Sequence, residues 1–199
     1  MRKLRKLISG IITALIVLSL VSAGLLIYRN ICYQHVIVDG DSMKSTLVDG
    51  DYGLMKITSS AKKHIKRFDI VIFKISEDNS DKDYIIKRVI GLPGEVVNIS
   101  TSTGDLSING EIVEQNFLDK TQKIKTCPTI SDKGCGRDYV VPEDAYYVLG
   151  DNRTVSYDSR SRGALEFSKL DGVLKVIYKH CETGEGKKLV CKSIKPKWF

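Results

Sequence analysis

The sequence predicts a mainly β domain carried behind a single N-terminal transmembrane helix. Three observations predict it. A charge-free apolar run stands near the N-terminus, short β-branched and aromatic runs take over after it, and turn residues separate those runs.

The span comes first. From Leu7 to Tyr28 the chain reads LISGIITALIVLSLVSAGLLIY, 22 residues without a charge, which as a helix reaches about 33 Å and crosses a hydrocarbon core of roughly 30 Å. Arg2, Lys3, Arg5 and Lys6 precede it and Arg29 alone follows at once. The positive-inside rule therefore predicts residues 1–6 as a cytoplasmic basic tail, 7–28 as the span and 29–199 as an extracytoplasmic β-rich domain in the cell membrane. Val21-Ser22-Ala23 is a small-residue cleavage site in the competing reading, a removable leader, but the apolar run continues past it and exceeds the usual length of about 7 to 15 residues. A buried core helix would need a polar face, and none is present.

Charge is concentrated on that tail. The chain of 199 residues carries +7, and five cations with no acid in residues 1–29 leave only +2 on the remainder. A domain so near neutrality lacks the basic footprint of a nucleic-acid binder. Membrane lipid is the expected surroundings of the span, and no nucleic acid is expected as a partner.

Beyond the span, Phe68–Ile75, Tyr84–Ile90, Glu95–Ile99, Ala145–Leu149 and Gly172–Tyr178 read as strands bounded by Gly, Pro, Asn or Asp. Asn109-Gly110 between LSI and EIV predicts a hairpin, because a type I′ turn needs positive φ at both central positions. A short helix is expected over 60–67, and 114–140 reads as a looser insertion.

Five cysteines follow the span. Cys127 with Cys135 and Cys181 with Cys191 each enclose a short glycine-bearing loop, so local pairing is the preferred one of the three connectivities open to four cysteines. Cys32 is left over. Neither pair has C-x-x-C spacing and His35, His64 and His180 are scattered, so no metal and no cofactor is expected.

Three segments carry chemistry. VDGDSMKSTL presents Ser42 on a glycine-bearing turn, and a serine hydroxyl needs a base. YIIKRVIGLPGE places Lys87 in an apolar strand, where lost hydration would lower its pKa toward that of a general base. The plain alternative is a lysine that alternates outward from a half-buried strand. The third segment, GDNRTVSYDSR from Gly150, follows a strand and on its own reads as a solvated loop.

Taken together and in this order behind one span, GDSMKSTL, RFDIVIF, IKRVIGLPGE and GDNRTVSYDSR resemble the type I signal peptidases of bacteria. The resemblance implies a Ser/Lys dyad, with Ser42 as nucleophile and Lys87 as general base. It makes Ser156 the hydroxyl that orients the amine, assigns Asp158, Arg160 and Arg88 to bracing the site, and gives the Ser42 backbone N–H to the oxyanion hole. The implied reaction is hydrolysis of exported precursors after a small residue through an ester intermediate, which removes their N-terminal signal peptides.

Three positions depart from the family pattern. Gly40 stands where some relatives have a second oxyanion donor, Ser45 replaces a usual proline and is expected to loosen the turn after the nucleophile, and Phe68 replaces a usual glycine. Two rival readings compete with it. One is a non-catalytic membrane-anchored relative that assists assembly of surface structures, whose signature would be loss of the dyad. The other is a self-cleaving repressor relative, which the span and the lack of a DNA-binding segment oppose.

Overall fold

The computed structural model describes residues 2–199 apart from 60, 62–63, 76–83, 119, 128–133 and 184–188. The chain forms two compact units, Met1–Gln34 and His35–Phe199.

The first unit is helix α1, Arg2–Cys32. It is long and apolar enough to cross a membrane, and its leucines and isoleucines are exposed all round. A helix satisfies its backbone internally, so such a surface suits an apolar solvent and not water.

The second unit is mainly β, as the sequence predicts, and its described residues form two sheets. Strands β1 (Tyr33–Ile37), β2 (Asp51–Lys56), β3 (Ile70–Lys74), β4 (Tyr84–Gly91), β9 (Ala145–Leu149), β10 (Leu165–Glu166) and β11 (Leu170–Thr183) form the larger one in the order β1-β2-β11-β3-β4-β9-β10. Strand β12 (Leu189–Trp198) pairs with β11. The smaller sheet runs β7 (Glu111–Val113), β6 (Leu106–Ile108), β5 (Val96–Ile99) and β8 (Tyr139–Val140). All five residues of β9, AYYVL, are buried, which is how an unbroken apolar run reads when both faces of a strand are covered. The β6–β7 hairpin turns at Asn109 and Gly110 with φ of 52° and 86°, the two positive values that the Asn-Gly pair requires.

The structure redraws several elements. The strand read from Phe68 begins only at Ile70, because Phe68 sits in a turn with φ 72°; a left-handed conformation explains the glycine usual there. The strand read over 172–178 extends to fourteen residues. Strands β1, β2, β8, β10 and β12 are not predicted by the sequence, and in β2 the reason is visible. Gly53 lies so close to β11 that a Cβ there would stand 2.3 Å from the Val176 carbonyl oxygen, and glycine is a poor strand signal by itself. The helix read over 60–67 lies in part outside the described residues; Ser59 and Ala61 are helical, and His64–Arg67 is not. In segment 114–140 most of the described residues are intermediate or exposed, a short helix stands at Lys120–Ile124, and Gln115, Thr126, Cys127 and Cys135 are buried.

Cys127 is bonded to Cys135 and Cys181 to Cys191, while Cys32 is free. Cys181 and Cys191 face each other in the β11–β12 register. Three apolar clusters fill the unit. One lies between the small sheet and β4/β9, around Ile99, Val97 and Tyr147; a second gathers Val71, Phe73, Val89 and Val148. The third holds Met43, Leu47, Met55, Ile70, Leu174 and Ile177, and so underlies the turn that carries Ser42.

Candidate active site

Ser42 is positioned by its neighbours. Met43 and Leu47 are 1% and 0% exposed, and burying two large side chains on either end of a short turn pins the backbone between them. The N–H groups of Thr46 and Leu47 both donate to the Met43 carbonyl, at 3.0 and 2.9 Å, and Lys44 N–H donates to Asp41 O at 3.1 Å. Ser45 takes φ 96° in this closed turn. A proline ring locks φ near −65°, so the substitution gives a differently folded turn and not an open one. On its other side the segment is held by Asn152, whose backbone N–H donates to Ser42 O and whose side-chain amide donates to Asp41 O, both at 3.0 Å.

Lys87 lies mid-strand in β4, opposite Val71 of β3. It does not alternate outward: it is 4% exposed, and its Nζ donates to Ser42 Oγ at 2.8 Å and to the Ile86 carbonyl at 3.1 Å. Burial, which strips water from the ammonium, lowers its pKa from 10.5 to about 8, against an opposing pull from the Asp158 carboxylate; Arg162 lowers it, Asp151 raises it and Arg160 lowers it. A lysine so placed is in part neutral near pH 8, the state a general base requires.

The loop after β9 supplies the surround. Gly150 has no room for a side chain, since a Cβ there would meet Ser156 Oγ at 2.2 Å and Ser42 O at 2.5 Å. Asp158, fully buried, caps the short helix Ser159–Arg162 through the Arg160 N–H. It also accepts from Gly150 N–H at 3.0 Å and from Arg160 Nε and Nη2, each at 2.9 Å. Arg88, next to Lys87 on β4, donates to Asp151 through Nε at 2.9 Å and Nη2 at 2.6 Å. Its other bonds go to the Phe68 carbonyl and to Thr46 Oγ1, and its guanidinium lies 4.1 Å over the Phe117 ring.

The fold thus brings Ser42 and Lys87 together and sets Arg88, Asp158 and Arg160 around them. Ser156 is adjacent, but its buried hydroxyl makes no hydrogen bond to Lys87 or to any other of the described residues. Among the described residues nothing in the protein accepts the Ser42 N–H, and Gly40 spends its own N–H on Asp49 at 2.8 Å. His35 is bonded to Tyr178 and His180 to Asp51 and Glu182. No group of acidic, histidine or cysteine residues fit to hold a metal occurs among the described residues.

Asp151, Asn152 and Arg153 take part as well, without a role that the sequence predicts for them. Their signal was present: all three lie in the polar loop motif. Thr46 stood equally in view, inside GDSMKSTL. Gln115, Gln122 and Thr126, which bind Arg153, gave no signal, because their contacts cross about 30 residues of sequence without a local pattern.

The family model described as "Signal peptidase, peptidase S26" matches residues 5–179. Signal peptidase I V of Bacillus subtilis (strain 168) is 31% identical over 178 residues, covering 87% of this chain and 98% of that protein. Signal peptidase I T of the same strain is 34% identical over 154 residues, 77% of each chain. A crystal structure of a signal peptidase I from Enterococcus faecalis V583 is 31% identical and covers 56% of this chain and 97% of its own, with a TM-score of 0.42.

Proposed function

The chain belongs to the signal peptidases of peptidase family S26, and we propose that Ser42 and Lys87 form the dyad with which this serine endopeptidase cleaves signal peptides from exported precursors. The observation that carries the assignment is the 2.8 Å approach of Nζ to Oγ by a lysine whose burial holds its pKa at about 8.

With Lys87 neutral, the Ser42 hydroxyl donates toward Nζ. Oγ attacks the scissile carbonyl carbon as its proton passes to Nζ, and the Ser42 N–H, which has no acceptor among the described residues, faces the developing oxyanion. The C–N bond breaks, Nζ returns the proton to the leaving amine, and an ester on Oγ remains. Lys87 then takes a proton from water, whose oxygen attacks the ester, and Oγ leaves with that proton. Ser156, unbonded to Lys87 in this structure, is the loop hydroxyl that would turn toward the amine during the reaction, while Asp158, Arg160 and the Arg88–Asp151 pair hold that loop in register. The intact dyad leaves the non-catalytic reading without support.

The domain layout follows from charge. Residues 1–6 stay in the cytoplasm, 7–28 cross the lipid and 29–199 lie outside, where an oxidising compartment suits the Cys127–Cys135 and Cys181–Cys191 bridges. Enzyme and precursor then share one bilayer, which raises their effective concentration. Nucleic acid has no place in this reading. The test is processing of a precursor bearing a signal peptide by the full chain in detergent, beside Ser42→Ala. Equal processing by both would reject the dyad.

A further inference from the structure

We propose that Thr126 and Gly134, each of which immediately precedes one cysteine of the Cys127–Cys135 bridge, are positioning residues for the reaction. Through Arg160 and Arg153 they hold the loop that carries Ser156 and Asp158 against the Ser42–Lys87 pair. The proposal rests on the dyad reading above and adds to it a part of the chain that carries no recognisable motif.

Arg160 faces two ways. Its Nε and Nη2 grip Asp158, and Nη2 also reaches the carbonyls of Arg153 and Ser156 at 2.8 and 3.2 Å. Its remaining terminal nitrogen, Nη1, leaves the catalytic loop and donates to the Thr126 carbonyl at 2.5 Å. Arg153 repeats the arrangement. Nε bonds the Gly150 carbonyl at 3.1 Å within the loop, and Nη1 donates to Thr126 Oγ1 at 3.0 Å. Two arginines of the catalytic loop, Arg153 buried and Arg160 partly so, therefore converge on one residue of the 114–140 segment.

Thr126 suits that position. It is 0% exposed, and its hydroxyl donates to the Gln122 carbonyl at 3.1 Å while accepting from Arg153, so both of its hydrogen-bonding roles are filled. Removing the oxygen would leave a buried guanidinium N–H without an acceptor, a costly omission for a charged donor.

Gly134 makes the second contact, backbone against backbone. A Cβ on it would stand 2.5 Å from Arg160 Cα and 2.7 Å from Arg160 O, so any side chain must push the two segments apart. Cys127 and Cys135, 6% and 8% exposed, are buried in the apolar cluster that also holds Leu149, at the root of the catalytic loop. The bridge ties both contact points to each other and to that root.

The chemical consequence runs through Asp158. The charged groups acting on Lys87 are Asp158 and Asp151, which favour its protonated form, and Arg162 and Arg160, which oppose it. If Thr126 and Gly134 release Arg160, Asp158 loses part of its counter-charge, and its carboxylate favours protonated Lys87 more strongly. Activity would then require a higher pH.

The experiment compares kcat, KM and the pH midpoint of kcat/KM on one signal-peptide-bearing precursor, with the full chain in detergent. The variants are Thr126→Val, Gly134→Ala and Cys127→Ser/Cys135→Ser, with Thr126→Ser as the conservative partner and Cys181→Ser/Cys191→Ser as the distant bridge. The first three should lose on the order of 10-fold in kcat, as small displacements of catalytic groups do, with KM nearly unchanged and the midpoint moved to higher pH. Thr126→Ser should behave as wild type, and so should removal of the distant bridge. Wild-type kcat and midpoint in Thr126→Val and Gly134→Ala would overturn the proposal. So would a loss of activity that follows a lower Tm with the midpoint unmoved. Should the Cys127→Ser/Cys135→Ser chain fail to fold, those two single variants decide by the same criteria. Failure of the wild-type chain itself to cleave would reject the dyad reading and this inference with it.

Discussion

Arg88 and Asp151 form a buried, doubly bonded ion pair, with 7% and 1% of their side chains exposed, that fastens the strand bearing Lys87 to the loop bearing Ser156. Each partner is costly to remove alone, because the other is left as an uncompensated charge. Arg88→Met and Asp151→Leu should each destabilise the chain by about 3 to 5 kcal/mol. The double variant Arg88→Met/Asp151→Leu should be less destabilised than the two losses added together. Urea unfolding of the three chains checks this, and strict additivity would show that the pair is not coupled.

Ser42→Ala and Lys87→Met should each lower kcat/KM by roughly 10⁴-fold or more, since members of a dyad act as a unit. Their circular dichroism should match wild type. Single-turnover assays at high enzyme concentration would detect a surviving slow reaction, and a loss of less than about 100-fold in either variant would remove that residue from the dyad.

The pH dependence follows from the sign of the Lys87 shift. Burial lowers its pKa from 10.5 to about 8, so activity should rise with pH through a midpoint near about 8 as the amine becomes neutral. Ser156→Ala should lower the maximal rate more than it moves the midpoint, because a hydroxyl can bond either form of the amine. Replacing His35, His64 or His180 should leave the titration in place. Its disappearance in any one of these three chains would assign the base to that histidine.

The same shift should make Lys87 a stability cost at neutral pH. Below about pH 8 both folded and unfolded chains carry the ammonium, and the folded one holds it buried. Between about 8 and 10.5 the unfolded chain binds more protons, so wild-type stability should climb with pH. Lys87→Met, which carries no such charge, should therefore be more stable than wild type at pH 7, by about 3 kcal/mol at most. The difference should shrink as pH approaches 10.5. Denaturant midpoints at pH 7, 9 and 10.5 measure it, and a gap that is flat with pH would mean that Lys87 is not charged in its buried position.

By itself the sequence determined what depends on neighbours along the chain. The apolar run from Leu7 to Tyr28, the Asn109-Gly110 hairpin and the unbroken strand Ala145–Leu149 are local patterns, since periodicity and turn geometry are properties of adjacent residues. The motifs that carry Ser42 and Lys87 were equally legible as residue types. Their relation was not. Two-residue alternation says that Lys87 and Arg88 point to opposite sides of a strand, and only the packing of the Met43–Leu47 turn against β4 decided which side meets Ser42, 45 positions away. The same holds for Phe68 and Ser45, whose positive φ is imposed by surrounding hydrogen bonds and not by their own preferences. Thr126 and Gly134 mark the limit of such reading. Their importance lies wholly in what the tertiary structure sets against them, Arg153 and Arg160 from a loop about 30 residues on, and a contact made across the fold writes no pattern into the segment that makes it.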